Sequence, residues 1–116
     1  MSTPPVVDAL LAALTSRDAE QLAALFAEDY DSRQPAHPDR AFTGRAQVRA
    51  NWSAIFSGVP DFTAELLSAG TDGETFWSEW AWRGTHEDGS RLDMAGVIVL
   101  GLREGLIARA VRGARR

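Results

Sequence analysis

The sequence predicts an α+β fold, with three helices in the first half and an antiparallel meander of four strands in the second. Three observations carry this. Up to Gly58 apolar residues recur mainly at three- and four-residue spacing. Beyond Pro60, Asp72-Gly73, Asp88-Gly89 and Glu104-Gly105 divide the chain at hairpin spacing. Helical and strand patterns are segregated rather than interleaved, which separates α+β from α/β architecture.

Thr3, ahead of Pro4 and Pro5, reads as an N-cap with proline in the first turn. Val7, Leu10, Leu11 and Leu14 then mark an amphipathic helix ending near Thr15. Asp18, with Gln21 three residues on, caps a second helix that carries Leu22, Leu25 and Phe26 on one side. From Tyr30 to Phe42 the prolines and polar residues predict a short strand and then a loop. Thr43 and Gly44 open a third helix with Val48, Trp52, Ile55 and Phe56 on one face. Gly58 supplies its left-handed C-terminal position and Pro60 prevents continuation. The strands run from Phe62 to Gly70, Thr75 to His86, Arg91 to Leu102, and Leu106 to about Arg112. Residues 1–112 form a single domain on this reading, and residues 113–116 a frayed basic tail.

Composition excludes more than it suggests. At 116 residues the chain fits one domain burying roughly 65% of its unfolded surface. A net charge of −4 argues against phosphate-neutralising contact with nucleic acid. No apolar stretch is long enough for a membrane span, and Met-Ser-Thr-Pro-Pro lacks the basic start of a signal peptide, so a cytoplasmic protein is expected. There is no cysteine, hence no disulfide or thiolate chemistry. All 12 basic residues are arginine, so Schiff-base chemistry and a P-loop lysine are closed off. Two histidines, His37 and His86, are too few for a histidine-rich zinc site. No metal and no cofactor are expected.

The strand from Thr75 holds three of the four tryptophans. Side chains alternate along a strand, so Phe76, Ser78, Trp80 and Trp82 share one face and Trp77, Glu79, Ala81 and Arg83 the other. The first face is read either as core filling or as the floor of a ligand pocket.

Two helices, a loop, a third helix and a long meander containing Trp82-Arg83-Gly84-Thr85-His86 resemble the SnoaL-like branch of the nuclear transport factor 2 superfamily. The helix from Asp18 ending in Ala27-Glu28-Asp29 and the opening Phe42-Thr43-Gly44-Arg45 carry the same resemblance. It implies a cone: three N-terminal helices packed on a strongly curved antiparallel sheet that encloses a cavity. Ketosteroid isomerases, limonene epoxide hydrolases, polyketide cyclases and binding proteins share this fold, so the site must decide among them. At the positions of the isomerase base, tyrosine and acid this sequence has Gln34, Leu10 and Ile98, which cannot do that chemistry. The acid–arginine–acid set of the epoxide hydrolase is missing, its positions falling near Phe76 to Trp80 and on Arg112. The cyclase pattern matches better, with His86 after Gly84-Thr85 and Asp93 on the next strand as a general acid/base pair.

The resemblance implies a mostly apolar cavity lined by Trp52, Phe56, Phe62, Leu66, Phe76, Trp80, Trp82, Met94, Gly96 and Ile98. Ser78, Gln34, Tyr30 and His37 are its polar candidates. Tyr30 either donates into the pocket or packs with its hydroxyl toward water. His37 is either a titrating residue at the cavity mouth or an exposed loop residue. Three functions stay open: binding a small hydrophobic molecule, aromatic or polycyclic; acid/base catalysis by His86 or His37 with Asp93; and dimerisation through the Trp77, Glu79, Arg83 face around a filled core.

Overall fold

The computed structural model describes residues 3–115; Met1, Ser2 and the tail residue Arg116 lie outside them. Helix α1 (Pro5–Ser16) buries Val6, Val7, Leu10, Ala13 and Leu14, the stripe its spacing predicts. Its N-cap is Pro4 without a side-chain cap, so Thr3 does not play the expected part. Helix α2 (Ala19–Ala23) starts as predicted, with the Asp18 carboxylate accepting the Gln21 backbone N–H at 3.0 Å. It stops a turn early, because Phe26 begins strand β1 (Phe26–Arg33). After a 3₁₀ turn (Pro38–Arg40) and the two-residue strand β2 (Phe42–Thr43), helix α3 (Arg45–Gly58) follows. Gly58 is its last residue and has no positive φ; Val59, extended at φ −133°, ends the helix instead.

The remaining strands are β3 (Thr63–Asp72), β4 (Thr75–Thr85), β5 (Arg91–Arg103) and β6 (Leu106–Arg115). Their hairpins turn where Gly73, Gly89 and Gly105 take positive φ. All six strands form one sheet in the order β2-β1-β6-β5-β4-β3. It is a curved sheet on which the three helices pack, the mixed α+β cone that the resemblance implies. Two features depart from the expected meander. Strand β1 pairs with β6 in parallel, which brings the N-terminal half into the sheet. Strand β6 also runs to Arg115, pairing Gly113, Ala114 and Arg115 with Val97, Gly96 and Ala95. Those residues continue a ladder instead of fraying, since β5 offers them hydrogen-bonding partners.

The core collects on the concave face. Tyr30, Phe76, Trp80, Leu100, Ile107 and Ala110 meet Val7, Leu14 and Leu22 from the helices, all buried. Trp52 of α3 packs edge-on against Phe62, ring centres 5.5 Å apart, and Phe56 flanks both. Arg17 ties the helical layer to the sheet by donating to the Phe62 carbonyl at 3.0 Å.

Candidate functional site

The β4–β5 ladder is unbroken from Thr75↔Gly101 to Thr85↔Arg91. Parity therefore holds along the whole of β4: Phe76, Ser78 and Trp80 are buried, Trp82 is half-buried, and Trp77 on the opposite face is 53% exposed. Cross-strand rows place Arg112 beside Ile98 and Ser78, then Gly96 beside Trp80, then Met94 beside Trp82. The indoles of Trp80 and Trp82 lie parallel within 2°, centres 6.5 Å apart. Gly96 makes room for this arrangement, since a Cβ there would stand 3.2 Å from the Trp82 ring.

The concave side is not one large hollow. Deep inside is a recess of about 40 Å³ among Leu10, Leu14, Phe26, Tyr30, Trp52, Trp80, Trp82, Ile98, Leu100, Ala110 and Arg112. At the open end is a cavity of about 410 Å³, walled by Trp52, Ile55, Val59 and Phe62 on the helical side. Trp82, His86, Leu92, Met94 and Arg112 form its other walls. Trp52, Trp82 and Arg112 border both spaces, so one continuous wall joins recess and mouth. The mouth volume falls in the range of roughly 300–1,000 Å³ usual for small-molecule sites, whereas the recess holds about one water or one small head group.

Several expected lining residues are core instead. Phe76 is 2% exposed and belongs to the filled end of the cone. Ser78 accepts the Trp80 indole N–H at 2.8 Å and donates to the Ile98 carbonyl at 2.6 Å, so its hydroxyl is spent on the structure. Phe56 and Leu66 back the core without bordering mouth or recess, and Gly96 is covered by Trp82. Of the polar candidates, Gln34 and His37 border neither space; His37 is exposed ahead of the 3₁₀ turn. Trp52, Phe62, Trp80, Trp82, Met94, Ile98 and Tyr30 do border them.

The expected His86–Asp93 pair does not form. Asp93 sits opposite Arg83 in the unbroken ladder and its carboxylate lies 3.7 Å from the Arg83 guanidinium, on the outer face. His86 stands at the rim of the mouth, and no hydrogen bond or ion pair joins it to Asp93 among the described residues. A bulge would have been needed to turn Asp93 inward, and none interrupts β4–β5.

What sequence reasoning missed is Arg112. Ala108 is an extra residue between Arg109, paired with Gly101, and Ile107, paired with Leu102. This bulge reverses the parity of β6, so Ala110 and Arg112 face inward. Arg112 borders both spaces, its Nε is sealed from solvent, and that atom has no hydrogen-bond partner. Tyr30 borders the same recess, and its hydroxyl is likewise sealed and without a partner. Among the described residues no carboxylate lines either space. Among the described residues no cluster of histidine, aspartate and glutamate could hold a metal, and no helix is long and apolar enough to cross a membrane.

A larger crevice of about 520 Å³ lies between α2, β1 and α3. Its walls include exposed Glu20, Ala24, Glu28, Ala46 and Arg49, and Glu20 already pairs with Arg49 at 3.6 Å. It is a surface groove edged by charged side chains, not a cavity of the cone.

The outer face carries Trp77, Leu67 and Val97, at 53%, 42% and 40% exposure. Further along the same face Arg83 lies between Glu65 at 3.4 Å and Asp93 at 3.7 Å.

A family model described as a SnoaL-like domain matches residues 7–110. Among solved structures, a hypothetical protein with a ketosteroid isomerase-like fold from Catenulispora acidiphila, in complex with trimethylamine, superimposes with a TM-score of 0.83. It is 21% identical over 97% of this chain and 86% of that one. An NTF2-like protein of unknown function from Exiguobacterium sp. 255-15 is 18% identical over 95% of this chain and 98% of that one, with a TM-score of 0.79. A candidate polyketide cyclase from Sinorhizobium meliloti is 21% identical over 96% and 95%, with a TM-score of 0.76. At these identities the likeness establishes the fold. No curated protein matches the sequence.

Proposed function

The chain belongs to the SnoaL-like domain family, and on that premise we propose that it binds a small, flat, predominantly apolar molecule in the mouth of its cone. The observation that carries this reading is the 410 Å³ cavity walled by Trp52, Phe62, Trp82, Leu92 and Met94. Indole and phenyl faces at two sides of such a space favour a planar guest through buried area and edge-to-face contact. Met94, 49% exposed in the free protein, is the wall residue that a guest would cover, and its flexible thioether adapts to different shapes. The trimethylamine bound to the Catenulispora protein is in keeping with small-molecule binding by this fold. A catalytic version of the reading would rest on His86 at the rim, without Asp93.

The test is an NMR titration with methyl 2-naphthoate. The proposal expects the indole N–H signals of Trp52 and Trp82 and the Met94 methyl to shift together while Trp77 stays still. Shifts confined to Trp77, or none at millimolar ester, would remove the pocket reading.

The outer face fits a second copy of the chain. Exposed Trp77, Leu67 and Val97 supply apolar area, and the Glu65–Arg83–Asp93 row carries both signs of charge, as a self-complementary two-fold contact requires. Light scattering should find a dimer that Trp77→Arg converts to monomer; a wild-type monomer at high concentration refutes this part.

A further inference from the structure

We propose that the inner recess is an oxyanion subsite, formed by the Arg112 guanidinium and the Tyr30 hydroxyl, and that the guest is therefore an acid: a flat apolar body ending in a carboxylate. This rests on the pocket reading above and specifies which molecules the pocket selects.

The argument starts from a cost. A guanidinium cannot shed its charge, and burying part of it without a partner is expensive. Arg112 Nε is sealed from solvent and unbonded, and the side chain makes no ion pair among the described residues. Other arginines find partners: Arg45 donates to the Phe26 carbonyl at 2.8 Å, and Arg33 meets Asp31 at 2.9 Å. The Tyr30 hydroxyl repeats the pattern at 0% exposure, with no partner. Arg112 and Tyr30 both border one recess of about 40 Å³, and each has a buried donor atom without a partner, which makes that recess the place for an acceptor. The shared wall of Trp52, Trp82 and Arg112 lets that acceptor be the head of a molecule whose body fills the mouth.

Charge decides between acid and neutral guests. The chain as a whole carries −4, yet among the described residues no carboxylate lines the mouth or the recess, and the charged side chain bordering both is Arg112. Inside an apolar enclosure a fixed cation discriminates strongly for an anion, because solvent screening is reduced there. Guanidinium geometry suits a carboxylate, which can accept from Nε and from a terminal nitrogen together.

Isothermal titration with 2-naphthoate and its methyl ester tests this. The wild type should bind the acid roughly 10- to 100-fold more tightly than the ester, the range a charge-assisted hydrogen bond commands. Arg112→Met should abolish that preference, chiefly by weakening the acid, and Tyr30→Phe should narrow it by several-fold. Equal wild-type affinity for acid and ester overturns the oxyanion subsite and leaves the pocket standing. Binding of neither probe overturns both. The wild-type comparison needs no variant, so a misfolded Arg112→Met cannot shield the proposal.

Discussion

Replacing Gly84 by alanine probes the joint that holds the mouth of the cone together. Gly84 lies in β4 where the turn between α3 and β3 presses on the sheet. A Cβ there would stand 2.3 Å from Val59 Cγ1, 3.1 Å from Asp61 Oδ1 and 3.4 Å from Phe62 Cα. Carbon atoms rest about 3.5–4.0 Å apart, so the Val59 contact is short by more than an ångström. Val59 is 4% exposed and β-branched, so it has little rotamer freedom to escape. Relief must come from moving the turn, which weakens the hydrogen bond from the Thr85 backbone N–H to Asp61 (2.7 Å) and that from Arg17 to the Phe62 carbonyl (3.0 Å). We expect a loss of about 2–3 kcal/mol, the upper part of the overpacking range. For a chain of this size that lowers the melting temperature by roughly 8–12 °C. Calorimetry of wild type, Gly84→Ala and Gly70→Ala gives the answer, because a Cβ at Gly70 meets nothing within 4 Å. Gly84→Ala should also weaken ligand binding, since Val59 and Phe62 wall the mouth. A Gly84→Ala protein melting within about 2 °C of wild type would refute the reasoning.

Ser78→Ala strands the buried Trp80 indole N–H, whose acceptor is the Ser78 hydroxyl at 2.8 Å, and should cost about 1–3 kcal/mol in urea unfolding; an unchanged midpoint contradicts this. The Asp61 carboxyl is held below its usual 3.8 by the Thr85 backbone N–H it accepts. Asp29 is lowered from the same value by its hydrogen bond from Arg103. A depressed folded-state pKa means that this stabilisation is present above the unfolded pKa and fades as pH falls through the folded one. Asp61→Asn and Asp29→Asn should each flatten the acid limb of a stability-versus-pH curve, and an unaltered limb in both would show these bonds to be inert. Trp82→Ala should reduce methyl 2-naphthoate affinity by roughly tenfold, the effect of removing an aromatic anchor; calorimetric titration showing unchanged affinity would move the guest elsewhere.

How much was legible depended on regularity. From Thr75 to Thr85 the ladder has no bulge, so period-two reading put Phe76, Ser78, Trp80 and Trp82 on the right face and Trp77 and Arg83 outside. The same parity turns Asp93 outward, against its use with His86. Legibility failed where the chain slips. The register of β1 shifts between Phe26 and Asp31, and its first residues read as the end of a helix, so the strand begins ahead of the one expected from Tyr30. Ala108 reverses β6, which turns Arg112 inward at the very end of what reads as the last strand. The parallel β1–β6 pairing joins segments about eighty residues apart and leaves no local turn signal to read. Alternation says which side a residue faces, never how much space remains. Tyr30, Phe76 and Trp80 fill most of the hollow that the resemblance implies, leaving a small recess behind an open mouth.

The most direct measurement is a crystal structure of the protein with 2-naphthoate. The rings should lie between Trp52 and Trp82, with the carboxylate within hydrogen-bond distance of Arg112 Nε and the Tyr30 hydroxyl. Density for the rings on the Trp77 face, or a carboxylate turned to solvent with water in the recess, would contradict the account.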